Sequence, residues 1–217
     1  MLIMRFVILA AALLISLRAS AEPPADCAVG AEFVRRDLYH DAIVPLSRCL
    51  SADLTDDVRA YVLGARAYAY GKENQFEQAV EDQKAFIALQ KPQDARPLIM
   101  LGMYYRELKQ YDKSLEVLKT ASEYGAGMGV YYHTGLTLHQ AGRYEEAIKA
   151  YTKGIPKQPD YPYVFYRRAL SYEAIGDMDR ARRDFSRAFE LVPKDGYEPD
   201  IAAKLNEYGF NPKFKGQ

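Results

Sequence analysis

Apolar and small residues recur along this chain in pairs of amphipathic segments, and the pattern is clearest over residues 131–193. The same arrangement occurs there twice, 34 residues apart, so that Gly142 matches Gly176 and Ala147 matches Ala181. Two further matched pairs are Tyr151 with Phe185 and Pro159 with Pro193. Within each copy the apolar spacing predicts two helices, and the glycine predicts the end of the first. A fixed period of this length predicts stacked helical hairpins.

Following the pattern towards the N-terminus predicts five hairpins in all. Their helices are expected at residues 24–36, 39–52, 58–72, 75–90, 95–108, 111–123, 128–140, 143–155, 162–175 and 178–191. Pro45 falls inside the second helix and predicts a kink, and Gln83 stands where an apolar residue is expected. A last helix at about 199–208 carries Ile201 and Leu205 on one face, which is typical of a cap on a repeat stack.

These positions resemble the tetratricopeptide repeat (TPR). In the first copy the matching residues are Tyr131, Thr134, Gly135, Leu138, Ala147, Tyr151 and Pro159; in the second they are Phe165, Arg168, Ala169, Tyr172, Ala181, Phe185 and Pro193. The resemblance implies an all-α solenoid of about five TPR hairpins in a domain of residues 22–197. The repeats are placed at about 23–56, 60–93, 95–127, 128–161 and 162–195, followed by a capping helix at 198–208 and a tail at 209–217.

Residues 1–21 have the pattern of a secretory signal peptide. Arg5 supplies positive charge, residues 6–17 form an apolar run, and the small residues 19–21 predict cleavage after Ala21. The alternative is a membrane anchor, but a run of about 12 residues is shorter than the roughly 20 that a spanning helix needs. The mature protein is therefore expected to be periplasmic or secreted, without stable membrane insertion after cleavage.

Charge and motifs exclude several classes of function. The chain carries 29 basic and 29 acidic side chains, whereas a nucleic-acid surface predicts a marked basic excess. His133 and His139 lie six residues apart, not the four that place two metal ligands side by side on a helix. No catalytic or phosphate-binding motif occurs. We therefore expect no enzyme, no cofactor, no metal and no nucleic-acid partner.

The two cysteines, Cys27 and Cys49, both follow the signal sequence. Cys27 is expected near the start of the first helix and Cys49 near the end of its antiparallel partner, so the two ends are neighbours. An exported protein meets an oxidising compartment, in which such a disulfide persists. Two buried free thiols are the alternative.

A set of aromatic, Met, Leu and basic residues falls on the face of the first helices that lines the concave groove of TPR proteins. Such side chains are typical of binding hot spots, although an ordinary amphipathic surface is the alternative. The set comprises Tyr68, Lys72, Arg96, Met100, Met103, Arg106, Tyr132, His133, Leu136, His139, Tyr163, Tyr166 and Arg167. TPR domains that clamp a terminal carboxylate use Lys and Asn on successive first helices. At the positions where those domains carry Asn, this chain has Ala28, Ala65, Met100, His133 and Arg167. A carboxylate clamp is therefore not expected.

The resemblance implies a protein-interaction scaffold that binds an extended segment of a partner in this groove, with a role in envelope assembly, secretion or trafficking. The alternative is a structural or self-association module that acts through the convex face or the terminal helix. The sequence leaves the oligomeric state open.

Overall fold

The computed structural model describes residues 24–191 and 199–210. In these ranges the chain forms eleven α-helices and no strand. The helices are α1 (Ala25–Arg35), α2 (Tyr39–Leu50), α3 (Asp56–Lys72), α4 (Phe76–Leu89), α5 (Arg96–Glu107), α6 (Tyr111–Glu123), α7 (Met128–Gln140), α8 (Tyr144–Gly154), α9 (Pro162–Ala174), α10 (Met178–Leu191) and α11 (Pro199–Glu207). A single 3-10 turn, Ile155–Lys157, follows α8.

Each helix begins and ends within two residues of its predicted bounds. The helix α2 continues through Pro45, and the confirmed fold class is an all-α solenoid of hairpins with a terminal capping helix. The predicted signal peptide lies outside the described residues, as do residues 192–198 and most of the predicted tail.

Consecutive helices pack on each other throughout the stack. The odd-numbered helices also contact one another at three junctions, namely α1 with α3, α5 with α7, and α7 with α9. The odd-numbered helices therefore share one side of the stack. We call their outward surface from α3 to α9 the groove face.

A small residue in the first helix of each hairpin allows the second helix to approach closely. A Cβ atom added at Gly135 would lie 2.4 Å from the ring of Tyr151, which is too close for any real contact. The same 16-residue pairing joins Gly30 to Leu46 and Gly102 to Leu118. These contacts fix how the two helices of a hairpin pack against each other.

The turn inside each hairpin uses one left-handed residue at an equivalent position. These residues are Asp37, Asn74, Lys109, Gly142 and Gly176, all with φ between 57° and 76°. Glycine takes this conformation without steric cost, and Asn and Asp tolerate it better than most residues.

An arginine–aspartate pair with little solvent access joins the helices of the second hairpin. Arg66 donates to both carboxylate oxygens of Asp82, at 2.7 and 2.9 Å, and also to the Ser47 hydroxyl of the preceding hairpin at 2.9 Å. The fifth hairpin has the equivalent set, Arg168, Asp184 and Thr152. Because each arginine also bonds to the hairpin before it, these pairs join neighbouring repeats.

Both ends of the stack are closed by specific contacts. Cys27 and Cys49 form a disulfide with a Cα–Cα distance of 5.0 Å, which ties the start of α1 to the end of α2. At the other end, Ile201 and Leu205 of α11 are buried in the core of the last two hairpins. Between the second and third hairpins, the buried amide of Gln83 donates to the carbonyl of Pro97 at 2.9 Å, so a polar contact replaces the expected apolar one.

Candidate functional site

Four tyrosine rings cluster on the groove face where α7, α8 and α9 meet. The ring of Tyr132 lies edge-on to that of Tyr161 at a centroid distance of 5.4 Å, and Tyr161 contacts Tyr163 at the same distance. Tyr132 also lies 6.2 Å from Tyr151, which is fully buried against Gly135. Burial raises the pKa of Tyr161 to about 12, so this hydroxyl stays protonated at neutral pH.

Arg106 and His133 form a pair beside this cluster. The Nη1 atom of Arg106 donates to Nδ1 of His133 at 3.3 Å, because a guanidinium can only donate. Arg106 also bonds to Glu107 at 2.8 Å, and only 7% of the arginine is exposed. Burial, and secondarily the charge of Arg106, lowers the pKa of His133 to about 4. His133 is therefore neutral at physiological pH.

His139 and Arg167 stand in the corresponding places one hairpin further along. Nδ1 of His139 lies 2.9 Å from the hydroxyl of buried Ser171, and that hydroxyl also bonds to the carbonyl of Arg167. Burial first, and then the charge of Arg167, lowers the pKa of His139. Each histidine thus lies near an arginine, Arg106 for His133 and Arg167 for His139.

Two buried polar atoms in this region have no hydrogen-bond partner among the described residues. They are the hydroxyl oxygen of Tyr151 and Nε of Arg167. Burial, and secondarily the neighbouring Tyr132, raises the pKa of Tyr151, whereas the positive charges of Arg167 and Arg106 oppose that rise. An unpartnered buried donor is destabilising by about 1–3 kcal/mol.

The remaining predicted groove residues lie in two other settings. Tyr68, Arg96 and Met100 line a cleft of about 440 Å³ between α3, α4 and α5. The charge of Arg96 is matched there by Asp94, and the Lys72 ammonium lies 5.3 Å from the centre of the Tyr68 ring. Met103, Leu136 and Tyr163 are partly exposed.

Two predicted groove residues, Arg106 and Tyr166, have little accessible surface. Tyr166 is 6% exposed, because its ring packs edge-on to Phe185 of α10 at 5.7 Å. The structure thus brings together the predicted residues of α5, α7 and α9 around Tyr151, and places Tyr166 beneath that surface.

Three residues of this region, Tyr151, Tyr161 and Ser171, are not in the set of groove residues predicted from the sequence. The sequence pattern indicates a packing role between hairpins for Tyr151. For Tyr151 a signal exists in the repeat alignment. The matching residue in the next repeat is Phe185, so the tyrosine adds a hydroxyl that packing alone does not require.

Acid should destabilise the protein through His133. In the unfolded chain this histidine has a pKa near 6.5, whereas the folded value is about 4. Only the unfolded state gains the proton between these values, so stability is intact above about pH 6.5 and falls until about pH 4. The loss is at most about 3 kcal/mol, and about 2 if solvent partly reaches the ring.

The measurement is the free energy of unfolding by urea at pH 7 and pH 4 for the unchanged protein and for His133→Gln. The glutamine can still accept from Arg106 but does not titrate, so the variant should lose about 2 kcal/mol less. Equal losses in the two proteins would show that His133 is not the acid-sensitive group.

Chemistry of other kinds has little basis in the described part of the chain. In residues 24–191 and 199–210, no three His, Cys, Asp or Glu side chains are grouped so that they could hold a metal ion. No helix within these ranges has the length and apolar character needed to cross a bilayer.

The stacked hairpins and their groove face define the class of this protein, which is an α-solenoid with the fold of a protein-interaction scaffold. Sequence comparison then identifies the repeat. A TPR repeat model matches residues 135–176, and two tetratricopeptide repeat models match residues 163–195 and 95–124. The chain therefore contains tetratricopeptide repeats over residues 95–124 and 135–195.

Known proteins similar to the chain carry the same repeat. The TPR repeat-containing protein MJ1428 of Methanocaldococcus jannaschii is 29% identical over 114 residues, which is 50% of this chain. The match spans only 20% of that relative's length. The crystal structure of MamA aligns with a TM-score of 0.65 at 24% identity, over 75% of this chain and 94% of that one. TTC0263, a thermophilic TPR protein in Thermus thermophilus, aligns with a TM-score of 0.65 at 20% identity, over 86% of this chain and 98% of that one. The structural likenesses show the fold.

Proposed function

We propose that this protein is a non-enzymatic, exported scaffold that binds an extended, acidic and partly apolar segment of a partner protein along its groove face. The observation that carries the proposal is the partly exposed Arg167 guanidinium beside the partly exposed rings of Tyr132, Tyr161 and Tyr163. The Arg106 guanidinium lies in the same region, where burial lowers the pKa of both His133 and His139. A carboxylate is the group that best complements this arrangement, because it accepts several hydrogen bonds and carries the opposite charge.

Charge on the groove face favours an acidic ligand. Arg106 bonds to one carboxylate, Glu107, whose side chain is 38% exposed. Within the described ranges, no carboxylate pairs with Arg167. An incoming Asp or Glu side chain, or a chain terminus, would therefore meet an excess of positive charge although the whole chain is neutral.

The apolar part of the ligand follows from the tyrosines. Tyr132, Tyr161 and Tyr163 offer ring surface beside the arginines, and partly exposed Leu136 lies on the same helix as Tyr132. Contacts spread over successive first helices suit an extended segment better than a compact metabolite. A stack whose repeats are joined by ion pairs is also stiff, so little ordering entropy opposes binding on the protein side.

Export is supported by two independent features. The N-terminal 21 residues have the pattern of a signal peptide, and the structure contains a disulfide, a bond that persists in oxidising compartments. We therefore place the protein in the periplasm or outside the cell, with its partner in the same compartment.

Arg167→Gln should weaken binding of an acidic peptide about tenfold, because one charge-assisted contact is lost. The probe is a fluorescein-labelled 12-residue peptide of alternating Glu and Leu with two prolines, which keep it extended. Fluorescence anisotropy at 0.05 M and 0.5 M salt measures the affinity. The defect should shrink at high salt, whereas Tyr132→Ala should weaken binding about tenfold at both.

The matched control is Arg183→Gln, which removes an exposed arginine from the outer helix α10 and should leave affinity unchanged. The groove proposal fails if folded Arg167→Gln and Tyr132→Ala proteins bind this peptide as well as the control does. The convex surface and terminal helix would then be the surfaces to search.

A further inference from the structure

The fourth hairpin lacks the ion pair that the second and fifth hairpins contain. By the repeat register, the places of Arg66 and Asp82 are taken there by Thr134 and Ala150. Both of these side chains are short and uncharged. The space that an arginine side chain fills in two other hairpins is therefore not filled from this position in the fourth.

An open cleft of about 390 Å³ lies at this place, between α6, α7 and α8. We call it the outer cleft and define it by Leu115, Leu118, Thr134, Leu138 and Ala150. Its floor is apolar, since Leu118, Leu138 and Ala150 are buried core residues.

The third hairpin shows a different solution at the same position. Its equivalent residues are Leu101, which is buried, and Val117, which packs against the core cluster around Leu98 and Ala121. Hydrocarbon fills that junction, just as an arginine fills it in the second and fifth hairpins. The outer cleft thus lies where neither the arginine of the second and fifth hairpins nor the larger apolar residues of the third hairpin are present.

The rim of the outer cleft is positively charged. Lys119, Lys149 and Lys153 line it, and in the described ranges no carboxylate forms an ion pair with any of them. The one lining carboxylate, Glu146, bonds through both oxygens to Arg143 at 2.7 and 2.6 Å. An apolar floor with unpaired cations around it complements an acidic amphipathic segment.

The outer cleft lies on the opposite side of α7 from the groove face. Helical periodicity places Tyr132, Leu136 and His139 on one side of α7, and Thr134 and Leu138 on the other. Lys149 and Lys153 are four residues apart on α8 and therefore stand one above the other. Two carboxylates spaced four residues apart on a helix have the same separation.

We propose that the outer cleft is a second docking site, which binds an acidic amphipathic helix of a partner protein. The ligand helix lies between α6 and α8, places leucine-type side chains on the apolar floor, and directs glutamates to the three lysines. The footprint is small, so the affinity should be in the micromolar range. This site is independent of the groove face and rests on different residues.

The test uses a variant that rebuilds the missing ion pair. Thr134→Arg combined with Ala150→Asp gives the fourth hairpin the arginine–aspartate pair of the second and fifth, so it fills the cleft with a side chain the fold already accommodates. The probe is a 16-residue helical peptide with a leucine stripe flanked by glutamates. Binding measured by fluorescence anisotropy should weaken at least tenfold, while the helical circular dichroism signal and thermal midpoint are retained.

A second variant keeps the proposal testable if the first fails to fold. Lys119→Glu combined with Lys153→Glu reverses the charge of the rim. The affinity of this variant for the glutamate peptide should fall at least tenfold, and the variant should bind the same peptide with lysines in place of the glutamates. A peptide with the same composition but a scrambled leucine order should bind at least tenfold more weakly. Arg167→Gln, on the groove face, should bind the helical probe normally.

The proposal is overturned by unchanged affinity in a folded cleft variant, by equal affinity for the scrambled peptide, or by a loss caused by Arg167→Gln instead of the cleft variants. The proposal is also contradicted if the unchanged protein binds vesicles that contain anionic lipid but does not bind the helical peptide, and if the cleft variants abolish this vesicle binding. That result would identify a membrane surface as the occupant.

Discussion

An Asp184→Ala protein is expected to unfold with a free energy about 3 kcal/mol smaller than that of the unchanged protein. The substitution leaves the guanidinium of Arg168 without its carboxylate, although only 16% of that arginine side chain is exposed. Breaking a buried pair in this way is destabilising by about 3–5 kcal/mol, and the remaining solvent access favours the lower value. Urea denaturation followed by circular dichroism measures the effect.

The matched control is Glu146→Ala, which breaks the surface pair with Arg143 in the fourth hairpin. That arginine side chain is 44% exposed, and exposed pairs contribute about 1 kcal/mol or less. A second comparison replaces both Arg168 and Asp184 with leucine, which should restore much of the lost stability because no charge is left unpaired. Equal destabilisation by Asp184→Ala and Glu146→Ala would show that the pair does not hold the repeats together.

Removing the disulfide should cost about 3 kcal/mol of stability, concentrated in the first hairpin. The bond joins residues separated by 22 positions. Closing a loop of this size lowers the conformational entropy of the unfolded chain, which stabilises the folded state by about 3 kcal/mol. Among residues 24–191 and 199–210, the N-terminal hairpin packs against one neighbouring hairpin, so it should depend on this bond more than an internal hairpin would. A Cys27→Ala, Cys49→Ala protein should show faster amide hydrogen exchange in α1 and α2, with α9 and α10 little changed.

Dithiothreitol provides the control for this prediction. Added to the unchanged protein, it should lower the thermal midpoint to that of the double alanine variant, and it should not affect the variant itself. A midpoint that is the same with and without reductant in the unchanged protein would contradict the stabilising role of the bond.

The helices could be predicted from the sequence because packing in a repeat stack uses the same few positions in every unit. Two clear copies at a fixed period set the register, and the weaker repeats followed from it. The left-handed turn residues show where this reasoning ends. The glycines at positions 142 and 176 predict the conformation, whereas the residue type of Lys109 does not. Lys109 adopts it where the N–H groups of Lys109 and Gln110 bond to carbonyls of the last turn of α5.

The groove could be predicted only as a face, not as a site. Helical periodicity places Tyr166 and Arg106 among the groove residues, but their exposure is set by neighbours from other helices, Phe185 for the tyrosine and His133 for the arginine. The unpartnered hydroxyl of Tyr151 depends on the positions of three helices at once. A single-chain pattern carries no information on such distances.

The central claim is that the groove face around Tyr151 binds an acidic extended segment, and the most direct test is to locate the bound peptide. Protein from residue 22 onward, labelled with nitrogen-15, is titrated with the proline-containing Glu–Leu peptide and followed by amide chemical shifts. The account predicts that the shifts concentrate in α7 and α9, at Tyr132, Leu136 and Arg167, and that they disappear in Arg167→Gln. Shifts confined to the outer helices α6, α8 and α10 or to α11 would contradict it.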